Sequence, residues 1–140
     1  MNYNIQNHCL NTDWERVAGL IAHFGISEAP PETHKKAFEH SYAVTFVYDQ
    51  ERLIGFGRAV SDGVSQAVLY NIVVDPDYHG NGLGRKIIED LLKAVGHCDV
   101  ILYTHPDKVS FYTHLGFRRM RTGMALYLEE GKKEEMEFIE

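Results

Sequence analysis

Three glycines at alternate positions, Gly80, Gly82 and Gly84, lie between an apolar segment and a helix-like stripe of apolar residues. Glycine lacks a Cβ, so it can adopt unusual backbone angles and lets a ligand come close to the main chain. The first amides of a helix have no intrahelical partner and point along the positive end of its dipole. The combination predicts a turn that binds a phosphate group.

The spacing of these glycines excludes two common nucleotide-binding motifs. A Rossmann fingerprint needs G-x-G-x-x-G, but its sixth position is Arg85 when counted from Gly80 and Ile87 when counted from Gly82. A P-loop needs a lysine followed by Ser or Thr, and none is present in this segment. Two interpretations remain: a purely structural turn between strand and helix, and a site for another phosphate-bearing ligand.

Residues 71–85 resemble the central acetyl-coenzyme A motif of the GCN5-related N-acetyltransferase (GNAT) family, whose core is Gln/Arg-x-x-Gly-x-Gly/Ala. Gly82 and Gly84 match the required small residues, whereas His79 stands where the family usually has Gln or Arg. Residues 111–117 are similar to the second family signature. The resemblance extends over essentially the whole chain.

The resemblance implies that acetyl-coenzyme A is the cosubstrate. Backbone amides of the turn would hold its pyrophosphate, and the preceding strand would pair with the amides of its pantetheine arm. In the family this strand splays from the next one, residues 100–103, and leaves edge groups for an extended, peptide-like ligand. The binding residues implied are Ile72, Val73, Val74, His79, Gly80, Asn81, Gly82, Leu83, Gly84 and Arg85.

The implied reaction is direct attack of an amine on the acetyl thioester. It needs a neutral amine, a polarised carbonyl and a proton for the leaving thiolate. By resemblance Tyr112 is the general acid, because the ordinary tyrosine pKa of about 10 is close to that of an alkyl thiol. Without the family signature, Tyr112 would be interpreted as a core residue beside Phe111 and Leu115. A backbone N–H, that of Val73 or its neighbour, is expected to polarise the carbonyl.

The group that removes the amine proton is left open. Histidine has an ordinary pKa of about 6.5, which is the closest to this task. A water chain, or an amine that arrives neutral, would also suffice, and structural or substrate-contacting roles are alternatives for every candidate. The candidates near the ends of the two central strands are Tyr70, Asn71, Tyr103 and His105.

No metal cofactor is expected. The other histidines show no metal-ligand spacing of the H-E-x-x-H kind, so they are interpreted as surface or packed residues. Cys9 and Cys98 are the two cysteines of the chain, and their spacing favours free thiols over a disulfide or a zinc site.

The apolar pattern predicts the elements that must position these residues. Residues 67–74 are nearly continuously apolar, as in a strand buried on both faces. The stripe from Leu83 to Val95 predicts the clearest helix. The predicted order is βααβββαβαββ, an α/β fold with a mixed sheet flanked by helices, as in the GNAT acyl-CoA N-acyltransferase fold. The other predicted strands are residues 4–8, 43–48, 53–60, 100–103, 117–121 and 124–128, and the other predicted helices are residues 14–24, a short one after residues 30–32 and residues 108–115.

Length and net charge limit the domain organisation and the kinds of partner that we expect. The chain of 140 residues is expected to be a single N-acetyltransferase domain, residues 1–140, with an acidic tail at residues 129–140. Its net charge of -6 argues against nucleic acid and favours a cationic partner. The absence of a long apolar run and of a signal-like start leads to the expectation of a cytoplasmic protein without a membrane partner.

The acceptor that the resemblance implies is a small-molecule amine or a peptide amine, and the sequence does not choose between them. Dimers through the last strands are common in the family, so a homodimer is an open alternative. A second functional hypothesis is a non-catalytic module that responds to acetyl-coenzyme A and docks on a partner protein. The short length, the acidic tail and the lack of an obvious base are compatible with it.

Overall fold

The computed structural model describes residues 2–140, which form two compact units, one ending at Ile101 and one from Leu102 to Glu140. The prediction of one domain over the whole chain stays a prediction. The strands are β1 Asn4–Gln6, β2 Ala43–Asp49, β3 Arg52–Ser61, β4 Gln66–Val74 and β5 Asp99–Ile101. The helices are α1 Trp14–His23, α2 Pro31–Glu39, α3 Leu83–Val95, α4 Val109–His114 and α5 Gly131–Glu135, with single 3-10 turns at Pro76–Tyr78 and Pro106–Lys108.

The first unit is built on a five-stranded sheet in the order β1-β2-β3-β4-β5. The first four strands are antiparallel neighbours, and β5 pairs parallel with β4 after the crossover through α3. The predicted α/β class with a mixed sheet is therefore confirmed. β4 lies between β3 and β5, but it is not fully buried on both faces as expected: Ala67, Leu69 and Val73 are buried, and the other residues after Gln66 are half-buried.

Helices cover the two faces of this sheet. Phe38 of α2, Phe46 of β2 and Phe56 of β3 form the centre of the apolar cluster beneath α1 and α2. Strand residues alternate between faces, so the neighbours of Phe56 point the other way. That face carries α3, whose Ile87 side chain lies against Gly55 and Gly57. The two glycines thus let α3 approach the sheet closely.

The last hairpin predicted from the sequence, residues 117–121 and 124–128, is wrong. The structure shows irregular chain there, and β5 ends at Ile101 rather than at residue 103. Met124, Leu126 and Leu128 alternate as the apolar face of a strand would, but they are 97%, 94% and 105% exposed. A two-stranded ribbon whose apolar face nothing covers is marginal in water, which is the physical reason for the correction.

The second unit contains two short helices joined by irregular chain. The acidic tail predicted at residues 129–140 includes α5, whose residues are largely exposed. The expected homodimer stays a prediction, and it would need a surface other than the missing last strands. Among residues 2–140, no helix is both long and apolar enough to cross a membrane.

Candidate active site

A bulge divides β4 just before the three residues predicted to bind the pantetheine arm. The register with β3 passes from Val73 opposite Phe56 to Tyr70 opposite Arg58, so β4 has one residue more than β3 in this interval. Asn71 takes up the irregularity with φ of 55°, a left-handed conformation that non-glycine residues rarely adopt. Bulges of this kind bend a strand and redirect its side chains.

Gly57 is the residue of β3 that faces this bulge. A Cβ at this position would lie 2.6 Å from Ile72 Cδ1 and 3.0 Å from Ile87 Cγ2. A side chain here would push the Ile72 and Ile87 side chains aside, so glycine allows the close packing of the bulge and of α3. A glycine inside a strand is the sequence signal for such a bulge, although it does not tell which neighbouring strand carries the extra residue.

The end of β4 extends beyond its partner β5. The parallel register between the two strands runs from Gln66 opposite Asp99 to Val68 opposite Ile101, whereas β4 continues to Val74. Residues 69–74 are thus paired with β3 on one side and lie beyond the last β5 pair on the other. Strand edges of this kind can pair with an extended ligand through backbone groups.

Asp75, the residue after β4, fixes the chain where the turn begins. Its side chain is buried and accepts hydrogen bonds from Arg16 Nη2, from Arg52 Nη2 at 3.1 Å and from the Asp77 amide at 2.8 Å. Burial alone would raise the pKa of Asp75, but the hydrogen bonds from the Asp77 amide and the two arginines outweigh it and lower this pKa. Asp75 is therefore a charged anchor for the 3-10 turn that leads into the glycines.

The glycine turn itself is open on the side where a ligand would lie. Gly80 and Gly82 have φ of 85° and 74°, and a Cβ built on either would meet no atom within 4 Å. Gly82 is the N-cap of α3 and no side chain of the described residues caps this helix end. Gly84 belongs to the first turn of α3 rather than to the loop. The amides at the start of α3 are thus available to an anion.

His79, which departs from the family motif, is used within the turn. Its Nε2 lies 2.8 Å from the carbonyl oxygen of Val74, and its ring stacks on Phe24 at a centroid distance of 5.8 Å. Asn81 donates from Nδ2 to the carbonyl of Tyr78, 3.1 Å away. These side chains hold the loop against the end of β4 and the end of α1. Arg85, by contrast, is exposed and lies 3.6 Å from Glu89.

A polar cluster that sequence reasoning missed lies beside the bulge. Arg58 donates from Nε to Asn71 Oδ1 at 2.7 Å and from Nη1 to Ser41 Oγ at 3.3 Å. Its guanidinium lies over the ring of Tyr70, 5.1 Å from the centroid. Tyr70 and Asn71, two of the proton-acceptor candidates, are therefore both in contact with a cation. Asn71 is used to hold the bulge, since its side chain accepts from Arg58.

His34 of α2 belongs to the same region. Its side chain is buried, and its Nε2 has no hydrogen-bond partner among the described residues. Burial, followed by the positive charge of Arg58, lowers the pKa of His34, so the ring stays neutral near pH 7. No sequence pattern marks this residue, because its burial arises only when α2 packs on the sheet.

The remaining candidates lie in the second unit. Tyr112 is half-buried in α4, where its ring packs edge-on against Phe111 at 5.0 Å and Phe117 at 5.8 Å. Burial raises the pKa of Tyr112 to about 12, so this hydroxyl keeps its proton throughout the neutral range. His105 follows β5 in the chain, and its Nδ1 lies 2.9 Å from Asp107 Oδ1. Among residues 2–140, no group of three or more His, Cys, Asp or Glu is arranged to hold a metal ion.

The comparisons with known proteins agree with one another. A family model described as an acetyltransferase (GNAT) domain matches residues 40–119, a span that contains the glycine turn and Tyr112. GCN5-related N-acetyltransferase 1, chloroplastic, of Arabidopsis thaliana is 38% identical over 113 residues, covering 77% of this chain and 56% of that protein. Serotonin N-acetyltransferase 2, chloroplastic, of Oryza sativa subsp. japonica is 36% identical over 119 residues, covering 77% and 59%. The chain thus spans little more than half the length of these relatives.

A solved structure shows the same fold. The GNAT-family acetyltransferase of Streptococcus pneumoniae matches with a TM-score of 0.75 at 22% sequence identity, covering 91% of this chain and all of that one. At this identity the likeness concerns the fold alone.

Proposed function

Because this chain belongs to the acetyltransferase (GNAT) domain family, we propose that it transfers the acetyl group of acetyl-coenzyme A to an amine. The observation that carries the proposal is the open turn at residues 80–85, where left-handed glycines precede an uncapped helix end. Because Gly82 offers no side chain to the first amides of α3, these amides can bind an incoming phosphate.

The residues present fit this cosubstrate. Amides at the start of α3 suit a pyrophosphate, and the charge of Arg85 in the same helical turn adds to the positive dipole end. The edge of β4 at residues 69–74 suits the amide-bearing pantetheine arm. Both are extended, and the N–H and C=O groups of each can form hydrogen bonds with those of the other. When bound, acetyl-coenzyme A supplies an activated acyl group, and the chain supplies position and proton transfer.

Tyr112 is proposed as the proton donor to the departing thiolate. Its pKa of about 12 means that the hydroxyl is fully protonated at neutral pH and always able to donate. It also means that donation to an alkyl thiolate, whose acid has a pKa close to the ordinary tyrosine value of about 10, is uphill. The proton is therefore expected to move late, as negative charge collects on sulfur. A backbone N–H of Val73 or its neighbour is proposed to polarise the acetyl carbonyl.

His105 is proposed as the group that accepts the amine proton. Its Nδ1 is 2.9 Å from the carboxylate of Asp107, an arrangement that orients the imidazole and leaves Nε2 to take up a proton. Of the other candidates, Asn71 is not a base at neutral pH, and its side chain is used in the contact with Arg58.

The acceptor is proposed to be a cationic primary amine. The net charge of -6 favours a positively charged substrate over an anionic one. A relative of this chain is named a serotonin N-acetyltransferase, and serotonin carries a primary alkylamine. The substrate class proposed here therefore includes small alkylamines and arylalkylamines.

Two measurements on the whole chain test the proposal. Calorimetry with acetyl-coenzyme A is expected to show binding, and a thiol-release assay with a panel of primary amines is expected to show turnover above hydrolysis. Gly82→Ala forces a Cβ into a left-handed position, so it should weaken acetyl-coenzyme A binding by about tenfold.

Gly25→Ala is the matched control, because Gly25 has φ of 70° and the same open surroundings outside the turn. It should bind the cosubstrate as the native chain does. Binding without thiol release for any amine would favour the non-catalytic module, and no binding would reject the cofactor assignment itself.

A further inference from the structure

The tail of the chain places a lysine ammonium against aromatic rings. Lys133 Nζ lies 5.1 Å from the ring centroid of Tyr127 and 5.4 Å from that of Phe138. Tyr103 packs edge-on against both rings, with centroids 6.1 Å from Tyr127 and 5.7 Å from Phe138. We call Tyr103, Tyr127 and Phe138 the aromatic cage. Such rings attract cations through the negative potential of their faces.

The backbone is shaped to bring Phe138 to this place. The amide of Phe138 donates to the carbonyl of Lys133 at 2.9 Å, and that of Glu137 donates to the carbonyl of Glu134 at 3.0 Å. This is the Schellman ending of a helix, which needs a left-handed residue and is usually glycine. Here Glu137 adopts φ of 62°. An unfavourable conformation is thus maintained where the chain closes the cage around an ammonium.

The surroundings of the cage favour a positively charged amine and place a proton acceptor nearby. Glu134 follows Lys133 directly and Glu137 lies four residues after it, so this segment is acidic. The ring of His105, which is oriented by Asp107, lies 5.9 Å from that of Phe138. The proposed proton acceptor therefore shares an aromatic neighbour with the bound ammonium.

We propose that the aromatic cage is the binding site for the cationic amine acceptor, and that Lys133 occupies it as an internal substitute for that amine. The proposal rests on the function proposed above and names the part of the chain that recognises the substrate. The ligand class is a primary or quaternary alkylammonium whose cationic head fits against two ring faces. Lys133 then competes with the acceptor, so its removal should strengthen amine binding.

Binding of choline by ligand-observed NMR tests the cage without any need for catalysis. Choline carries a quaternary ammonium that cannot be acetylated on nitrogen, and 3,3-dimethylbutan-1-ol has the same shape without the charge. Lys133→Gln is expected to bind choline about three- to tenfold more tightly than the native chain, because two ring faces become free for the ligand. The neutral alcohol should show no such gain.

Lys132→Gln is the matched control, because it removes the same charge from an exposed position of α5. It should leave choline binding as in the native chain, so an equal gain in both variants would point to net charge and overturn the cage. Lys133→Gln that binds choline no better than the native chain would also overturn it. Tyr127→Leu in the Lys133→Gln background should abolish the gain, with circular dichroism confirming that the chain is folded.

The two proposals fail in different ways. Tighter choline binding by Lys133→Gln, combined with no acetyl transfer to any amine, would keep the cage and reject the enzyme. Acetyl transfer to butylamine with a KM that Lys133→Gln does not lower would keep the enzyme and reject the cage.

Discussion

The turn after β4 and the chain from residue 102 onward are held in place by different means. Around the turn, a buried carboxylate and a histidine fix the backbone: Asp75 contacts two arginines, and His79 contacts the end of β4. From residue 102 onward, rings packed edge to face supply the contacts, and apolar side chains such as Leu126 remain exposed. We expect the first arrangement to allow one backbone geometry and the second to allow rearrangement, and we call them the rigid region and the adaptable region.

This difference matches the tasks proposed for the two regions. A pyrophosphate is held by backbone amides, whose positions must be fixed before the ligand arrives because they cannot be adjusted by side-chain rotation. An acceptor amine is recognised by ring faces, which accept a cation over a range of positions. The rigid region would therefore serve the common cosubstrate and the adaptable region the variable acceptor.

Tyr112→Phe tests the adaptable region where the largest effect is expected. Loss of the proton donor should lower kcat by about 10²- to 10⁴-fold, the usual contribution of general acid catalysis. Stability near pH 7 should hardly change, since the ring still packs against Phe111 and Phe117. Steady-state kinetics with any amine that turns over measures the effect, with the half-exposed Tyr42→Phe as control. An unaltered kcat across pH would remove Tyr112 from the mechanism.

The pH dependence of the native chain should follow from the same residue. Burial raises the pKa of Tyr112 to about 12, so its hydroxyl stays protonated between pH 6 and 10. Titration of Tyr112 should therefore cause no loss of kcat in this range. Its contribution to stability is complete below the ordinary tyrosine pKa of about 10 and is lost as the pH rises toward the folded-state value. The unfolding free energy of Tyr112→Phe, measured by urea unfolding, should not show this decrease at alkaline pH.

Asp75→Ala tests the rigid region. The variant leaves Arg16 and Arg52 without their shared carboxylate and removes the acceptor of the Asp77 amide. Since the arginines are partly exposed, the free energy of unfolding should fall by about 2–3 kcal/mol rather than by the full cost of a buried charge. Binding of acetyl-coenzyme A should weaken as well, because the turn loses its anchor.

Asp77→Ala is the control for this prediction. Asp77 is 81% exposed and lies 3.9 Å from Arg52, so its loss should change the unfolding free energy by less than about 0.5 kcal/mol. Urea unfolding of both variants gives the comparison. Equal effects of the two substitutions would mean that the turn is not held by Asp75 and that the contrast between the regions is overstated.

The sequence predicted the rigid region better than the adaptable one for a physical reason. The apolar run of β4 and the stripe of α3 are local patterns, and the glycines between them mark the turn directly. The bulge at Asn71 depends on Gly57 and Arg58 of another strand, so it is not visible locally. In residues 117–128, alternation showed only that one face could be buried, and the structure provides nothing to cover it.

His34 allows a smaller test in the polar cluster beside the bulge. Burial and the charge of Arg58 lower its pKa in the folded state, while the unfolded chain has the ordinary value of about 6.5. Below that pH the unfolded chain takes up a proton that the folded chain does not, so His34 makes stability decline as the pH falls and has no effect above it. His34→Leu should therefore show a shallower decline between pH 7.5 and 5.5 in urea unfolding.

His40→Gln is the corresponding control, because His40 is exposed at the end of α2. The unfolding free energy of this variant should change with pH as that of the native chain does. If His34→Leu declined as steeply as the native chain, the imidazole would not be held neutral, and the polar cluster beside the bulge would need another description.

The smallest expected effect belongs to Leu126→Ala, which tests the contrast most directly. Leu126 is 94% exposed, so its truncation should change the unfolding free energy by less than about 0.5 kcal/mol. The same truncation at Leu91, a residue of α3 that is 1% exposed, should cost about 2–5 kcal/mol. Amides of residues 118–128 should also exchange hydrogen rapidly, since they form no strand. A cost above about 1 kcal/mol at Leu126, with protected amides, would mean that a hairpin forms there and that both regions are rigid.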